Sequence, residues 1–97
     1  MTKTEHLLVV LAEECAEVQQ AVTKALRFGL DDGYPEGNTT NREDIEGELH
    51  DLLAVARTLC EAGAFKTWKI EDREAWVRDK QKRVKQYLRY AKTRGTA

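Results

Sequence analysis

The chain has 97 residues, a formal net charge of −1, 41% apolar, 34% charged and 7% aromatic residues. That length fits one small domain, and one proline with six glycines excludes collagen-like, sandwich and low-complexity classes. The near-neutral balance argues against nucleic-acid binding by the chain as a whole.

Three segments carry helical period and none carries sustained strand alternation. The first helix is expected over about 4–28, with Leu8, Leu11, Cys15, Val18, Val22 and Ala25 as its buried seam. Thr2 followed by Glu5 has capping-box spacing, and Gly29 is a natural stop. The loop 29–40, GLDDGYPEGNTT, holds three glycines and the only proline. Twelve residues are long for a helix–helix connection, so it reads either as a solvated loop or as a substrate-contacting lid.

The second helix is expected over 41–62, capped by Asn41 with Asp44, with Ile45, Leu49, Leu52, Ala56 and Leu59 as its seam. Gly63 ends it. The third runs over about 71–91, with Val77, Val84, Leu88 and Ala91 facing inward and Trp76 and Tyr87 flanking. The tail 92–97 is polar and expected to fray.

Together these give an all-α chain, residues 1–97 forming one domain. The seams are wide for so small a protomer, which predicts a homodimer built around a four-helix core, or a tetramer. No apolar run approaches the roughly 20 residues that span a bilayer, and the first residues do not resemble a secretory signal. The expected location is cytoplasmic, with no membrane partner. Cys15 and Cys60 lack disulfide-scaffold or zinc spacing and read as small core residues.

Charge divides unevenly: residues 1–61 hold 13 acids and 5 bases, and residues 62–97 hold 4 acids and 11 bases. The plain explanation is a solvated basic helix; the functional one is an acidic site facing a basic strip, suited to a metal–phosphate ligand.

The informative residues are acids beside the seams. Measured from Leu11, Glu14 falls at about −60° and Glu17 at about −120°, at the seam's edge and beside it. Measured from Leu52, Glu48 falls at about −40°, inside the arc to be buried, and Asp51 at about −100°. Each helix thus offers an acidic pair at i and i+3. Packing the seams would gather four carboxylates whose repulsion raises their pKa values. A hard divalent cation resolves that repulsion, and magnesium suits oxygen ligands, with manganese as the alternative. Solvated acids at a helix edge are the competing explanation for either pair alone.

Glu13 lies outside Glu17, and Glu43, Glu46 and His50 read as solvated. Lys80 falls at about −40° from Val84, among the inward positions, with Arg83 on the adjacent flank. Lys80 either pairs with an acid or meets a substrate phosphate; Trp76 either covers core or stacks on a base.

The stretch L-A-E-E-C-A-E-V, an EExxE pattern in Glu13, Glu14 and Glu17, precedes E-G-E-L-H-D-L-L, an ExxD pattern in Glu48 and Asp51. The combination resembles the MazG-like nucleotide pyrophosphohydrolases of the all-α NTP pyrophosphatase superfamily, over about residues 5–60. The stretch KALRFGLDDGYP is similar to short, phage-type members. The resemblance implies magnesium-dependent cleavage of a nucleoside triphosphate to the monophosphate and pyrophosphate. It implies Glu14, Glu17, Glu48 and Asp51 as metal ligands, with Glu13 contributing to water activation or a second metal. Glu13 and Glu14 are thus the expected catalytic residues. Lys80, Arg83, Lys24, Arg27 and Trp76 are the substrate-binding candidates.

Two features depart from the family pattern. The motifs stand 30 residues apart, at the long end for the family, and His50 occupies a position where glycine is frequent. A competing function is a non-catalytic helical interaction module that retains the acidic patch. A third, nucleic-acid binding by the basic third helix, is opposed by the acidic first half.

Overall fold

The computed structural model describes residues 1–66, 68 and 70–96; Ala97, at the end of the expected frayed tail, lies outside them. The described residues form three helices, α1 (Lys3–Phe28), α2 (Asn41–Glu61) and α3 (Ile70–Thr93), and no strand. The chain divides into two compact units, Met1–Phe65 and Lys66–Ala97.

Helix α1 opens on the expected capping box. The Glu5 amide donates to Thr2 Oγ1 at 3.1 Å, and the Thr2 amide donates to Glu5 Oε2 at 3.2 Å. It stops at Gly29, whose φ of 102° suits a residue without Cβ. Helix α2 is capped one residue earlier than expected. Thr40 and Glu43, rather than Asn41 and Asp44, make the reciprocal box, at 3.0 and 3.2 Å. Glu43 reaches the cap amide because it carries one methylene more than Asp44. The far end closes with a Schellman turn: the Ala64 amide donates to Leu59 O and the Gly63 amide to Cys60 O, both at 3.0 Å.

The first unit is an antiparallel hairpin in which α1 packs on α2. Its centre is built from small residues, with Ala21, Ala25, Ala56 and a fully enclosed Leu59 buried. The covered face of α1 differs from the expected seam. Leu7, Val10, Leu11, Glu14, Val18, Ala21 and Ala25 lie inward, whereas Leu8, Cys15 and Val22 are exposed. That is a rotation of about 60° toward Glu14. Two adjacent apolar stripes run along α1, and within the first unit α2 covers only one. On α2, Leu49 is likewise exposed, while Ile45, Leu52, Ala56 and Leu59 lie inward as expected. Cys60 is half-buried and Cys15 exposed, so neither forms the enclosed core expected.

The loop 29–40 is tied back onto the start of α2. The Asn41 amide donates to Asp32 O at 2.7 Å, and the Arg42 amide to Leu30 O at 2.8 Å. Asn41 itself is buried, and its Nδ2 donates to Gly29 O at 2.8 Å. The Arg42 guanidinium takes both oxygens of Asp31, at 3.1 and 3.4 Å, which raises the Arg42 pKa. Such a loop, with adjacent ends and its own bonds, is Ω-like.

Among its described residues the second unit contains one helix, α3. Its stripe of Val77, Val84 and Leu88 is exposed rather than inward, because the described residues of the unit offer no second element to cover it. Ala91 is half-buried. The helix ends in another Schellman turn at Gly95, with the Thr96 amide on Ala91 O at 2.9 Å.

Candidate metal and substrate site

The rotation of α1 carries Glu14 from the edge of the covered face to its middle. Leu7, Val10 and Leu11 lie on one side of it along the helix and Val18 and Ala21 on the other. On α2, Glu48 lies between Ile45 and Leu52 in the same covered stripe. The hairpin therefore aims both side chains into its own seam. Glu17, one turn after Glu14, stays exposed at the rim.

Glu14, Glu17 and Glu48 each present a carboxylate oxygen within 4.8 Å of the others. The Oε2 atoms of Glu14 and Glu48 are withdrawn from solvent and receive no hydrogen bond. Desolvation, foremost, raises the Glu14 pKa; the charges of Glu17, Asp51 and Glu48 raise it further. Desolvation also leads for Glu48, followed by the Glu17 carboxyl, which can help only by sharing a proton, and by Asp51 and Asp44. Two buried acceptors without donors, beside a third carboxylate, form a site that favours a proton or a cation.

Asp51 acts on this cluster through its charge and remains exposed outside the close group of three. Glu13 is exposed and also outside the group. Glu46 and His50 are exposed, as expected, and Glu43 serves the α2 cap. Asp44 was missed by the sequence reading, which spent it on the cap. Its charge acts on Glu48, and Thr39 Oγ1 donates to it at 2.6 Å. The signal was available: 44, 48 and 51 repeat at four and three residues and share one face. Gly47 adjoins Glu48, and a Cβ built on it meets nothing within 4 Å.

Among the basic candidates, Lys24 and Arg27 are exposed on α1, and the Arg27 guanidinium sits 5.2 Å from the Phe28 ring centroid. Lys80, Arg83 and Trp76 are exposed on α3, where Arg83 lines a surface groove with Gln86, Tyr87 and Tyr90.

The MazG nucleotide pyrophosphohydrolase domain model matches residues 2–88 of the chain. The chain belongs to the MazG family. No curated protein and no solved structure matches it. The MazG match spans both acidic motifs and most of α3, and the all-α architecture agrees with it. No helix among the described residues is long and apolar enough to cross a membrane.

Proposed function

We propose that this MazG-family protein is a divalent-metal-dependent hydrolase of nucleoside triphosphates, ribo or deoxy, releasing the monophosphate and pyrophosphate. The observation that carries the proposal is the pair of enclosed, donorless oxygens of Glu14 and Glu48 beside Glu17. Glu14, Glu17 and Glu48 would hold magnesium or manganese, with Asp51 completing the set from the rim. A cation held there would supply charge neutralisation for the triphosphate and polarisation of the phosphorus under attack.

The chain's own residues orient the reaction. Glu14 and Glu13 are assigned to position the attacking water and accept its proton. The water oxygen bonds to the α-phosphorus, the α–β anhydride bond breaks, and pyrophosphate leaves. Lys24 and Arg27 are assigned to substrate contact through their charge. Lys80, Arg83 and Trp76, exposed on α3, are the further substrate-contacting candidates. No covalent nucleophile is required; positioning and charge carry the step.

The MazG match crosses both compact units, which supports treating residues 1–97 as one functional domain. The exposed stripe of Leu8, Cys15 and Val22, with Leu49 and Leu53, supports assembly into a homodimer or homotetramer. A cytoplasmic location and a phage-type lineage belong to the same proposal.

Pyrophosphate release from the common nucleoside triphosphates, with and without magnesium, tests the reading. Wild type should release pyrophosphate only with metal, and Glu48→Gln should lose it. Folded wild type inactive on every nucleotide would instead favour a helical interaction module that retains the acidic patch.

A further inference from the structure

The acid cluster can bind phosphates through a cation, yet nothing in it can read a base. The same face of α1 continues toward the loop. Around the helix, Phe28 falls about 40° from Glu14 and about 20° from Glu17. Ala21 and Lys24 lie on this face between them. The order along α1 is thus acids, a small buried alanine, a lysine and an aromatic ring. The rise from Glu17 to Phe28 is about 16 Å. On α2, Asn41 and Asp44 share the stripe of Glu48, and Asn41 lies about 10 Å from it along the axis.

The first 65 residues contain three aromatic side chains, Phe28, Tyr34 and Phe65. Two of them belong to this end of the hairpin, Phe28 59% and Tyr34 74% exposed. An isolated exposed aromatic is unremarkable, but Phe28 has a cation on its ring and an anchored backbone beside it. Arg27 covers one side of its ring at 5.2 Å. The residue after it, Gly29, is fastened to the buried Asn41 at 2.8 Å, and the Asp31–Arg42 pair secures the following turn. With that backbone fixed and Arg27 on one side, the exposed ring offers its other side to a planar partner.

We propose that Phe28, with Arg27 on one face, is the stacking platform for the substrate's nucleobase. The inference rests on the pyrophosphohydrolase reading above and adds the place where the base is received. Stacking accepts any base, because each has a π face. The site therefore takes nucleoside triphosphates as a class, with modest preference among bases.

Titration calorimetry in magnesium tests this with two probes, an α,β-methylene nucleoside triphosphate and inorganic tripolyphosphate. Phe28→Ala should weaken the nucleotide about tenfold, within the range of a lost base–aromatic stack. It should leave tripolyphosphate unchanged, and Phe28→Trp should restore the nucleotide. Unchanged nucleotide affinity in Phe28→Ala overturns the proposal, as does equal weakening of both probes, which marks a structural effect. Loss at Trp76→Ala with none at Phe28→Ala moves the platform to α3 and also overturns it. Wild type that binds neither probe overturns the hydrolase reading itself, and the platform with it.

Discussion

Glu14 and Glu48 meet across the α1–α2 seam with one oxygen each within 4.8 Å, and each keeps its Oε2 from solvent and from any donor. This arrangement makes the metal-free fold sensitive to pH. Both carboxyls titrate above the ordinary glutamate range in the folded chain and return to it on unfolding. The folded chain therefore holds more protons in that window. Their contribution to stability is full below the ordinary glutamate value and is lost as pH rises through the raised one. Thermal unfolding in chelator should show a melting temperature that falls over that interval. Glu48→Gln should flatten the slope; an identical slope in the variant would show that these carboxyls do not set it.

Magnesium should reverse the loss. A ligand that binds only the folded state adds about 2.7 kcal/mol at a hundredfold excess over its Kd. For a domain of this size that is a rise of several degrees or more. Glu17→Gln should shrink the rise, because Glu17 belongs to the close group of three. Glu13→Gln should keep it while lowering turnover, since Glu13 is exposed and apart from the group. A Glu13 variant with normal turnover would remove that residue from the chemistry.

Asn41 is 7% exposed and bonds the carbonyl that ends α1. Asn41→Ala leaves that acceptor only the long 3.4 Å bond from the Asp32 amide and should cost about 1 kcal/mol in urea unfolding. Thr40→Ala, which removes only the α2 cap, should cost about 1 kcal/mol. Equal, negligible effects would mean that the loop clasp contributes nothing.

Leu59 is fully enclosed, whereas Leu53 on the same helix is 58% exposed. Leu59→Ala should cost about 2–5 kcal/mol at any protein concentration. Leu53→Glu should act differently if the open stripe is an oligomer contact. Sedimentation should then show smaller species, with the loss of stability dependent on concentration. A single unchanged species for both wild type and Leu53→Glu would rule that stripe out as the contact.

Much of this was readable from side-chain spacing. The Thr2–Glu5 box, the Gly29 stop and the helix ends follow from local chemistry, where neighbours in sequence are neighbours in space. The α2 cap slipped by one residue because Thr39, Thr40 and Asn41 are all good caps. Only the longer reach of Glu43 decides among them, and that signal was present. The burial of Glu14 was harder to see. Stripes 7-14-21 and 8-15-22 are both largely apolar, and spacing alone does not say which one meets α2. Treating the charged Glu14 as an edge residue rotated the expected seam away from it. The exposure of Val77, Val84 and Leu88 was invisible for a related reason: period predicts an apolar face without naming what covers it.

Gly47 lies beside Glu48 with open space where a side chain would stand. A glycine inside a helix gives up about 0.5–1 kcal/mol relative to alanine. Gly47→Ala should therefore strengthen α2 without crowding the hairpin. The same opening makes position 47 a practical anchorage for a reporter. A fluorophore or spin label attached there sits one residue along α2 from Glu48 and about 100° around it, close enough to register the arrival of a cation without prying apart the helices.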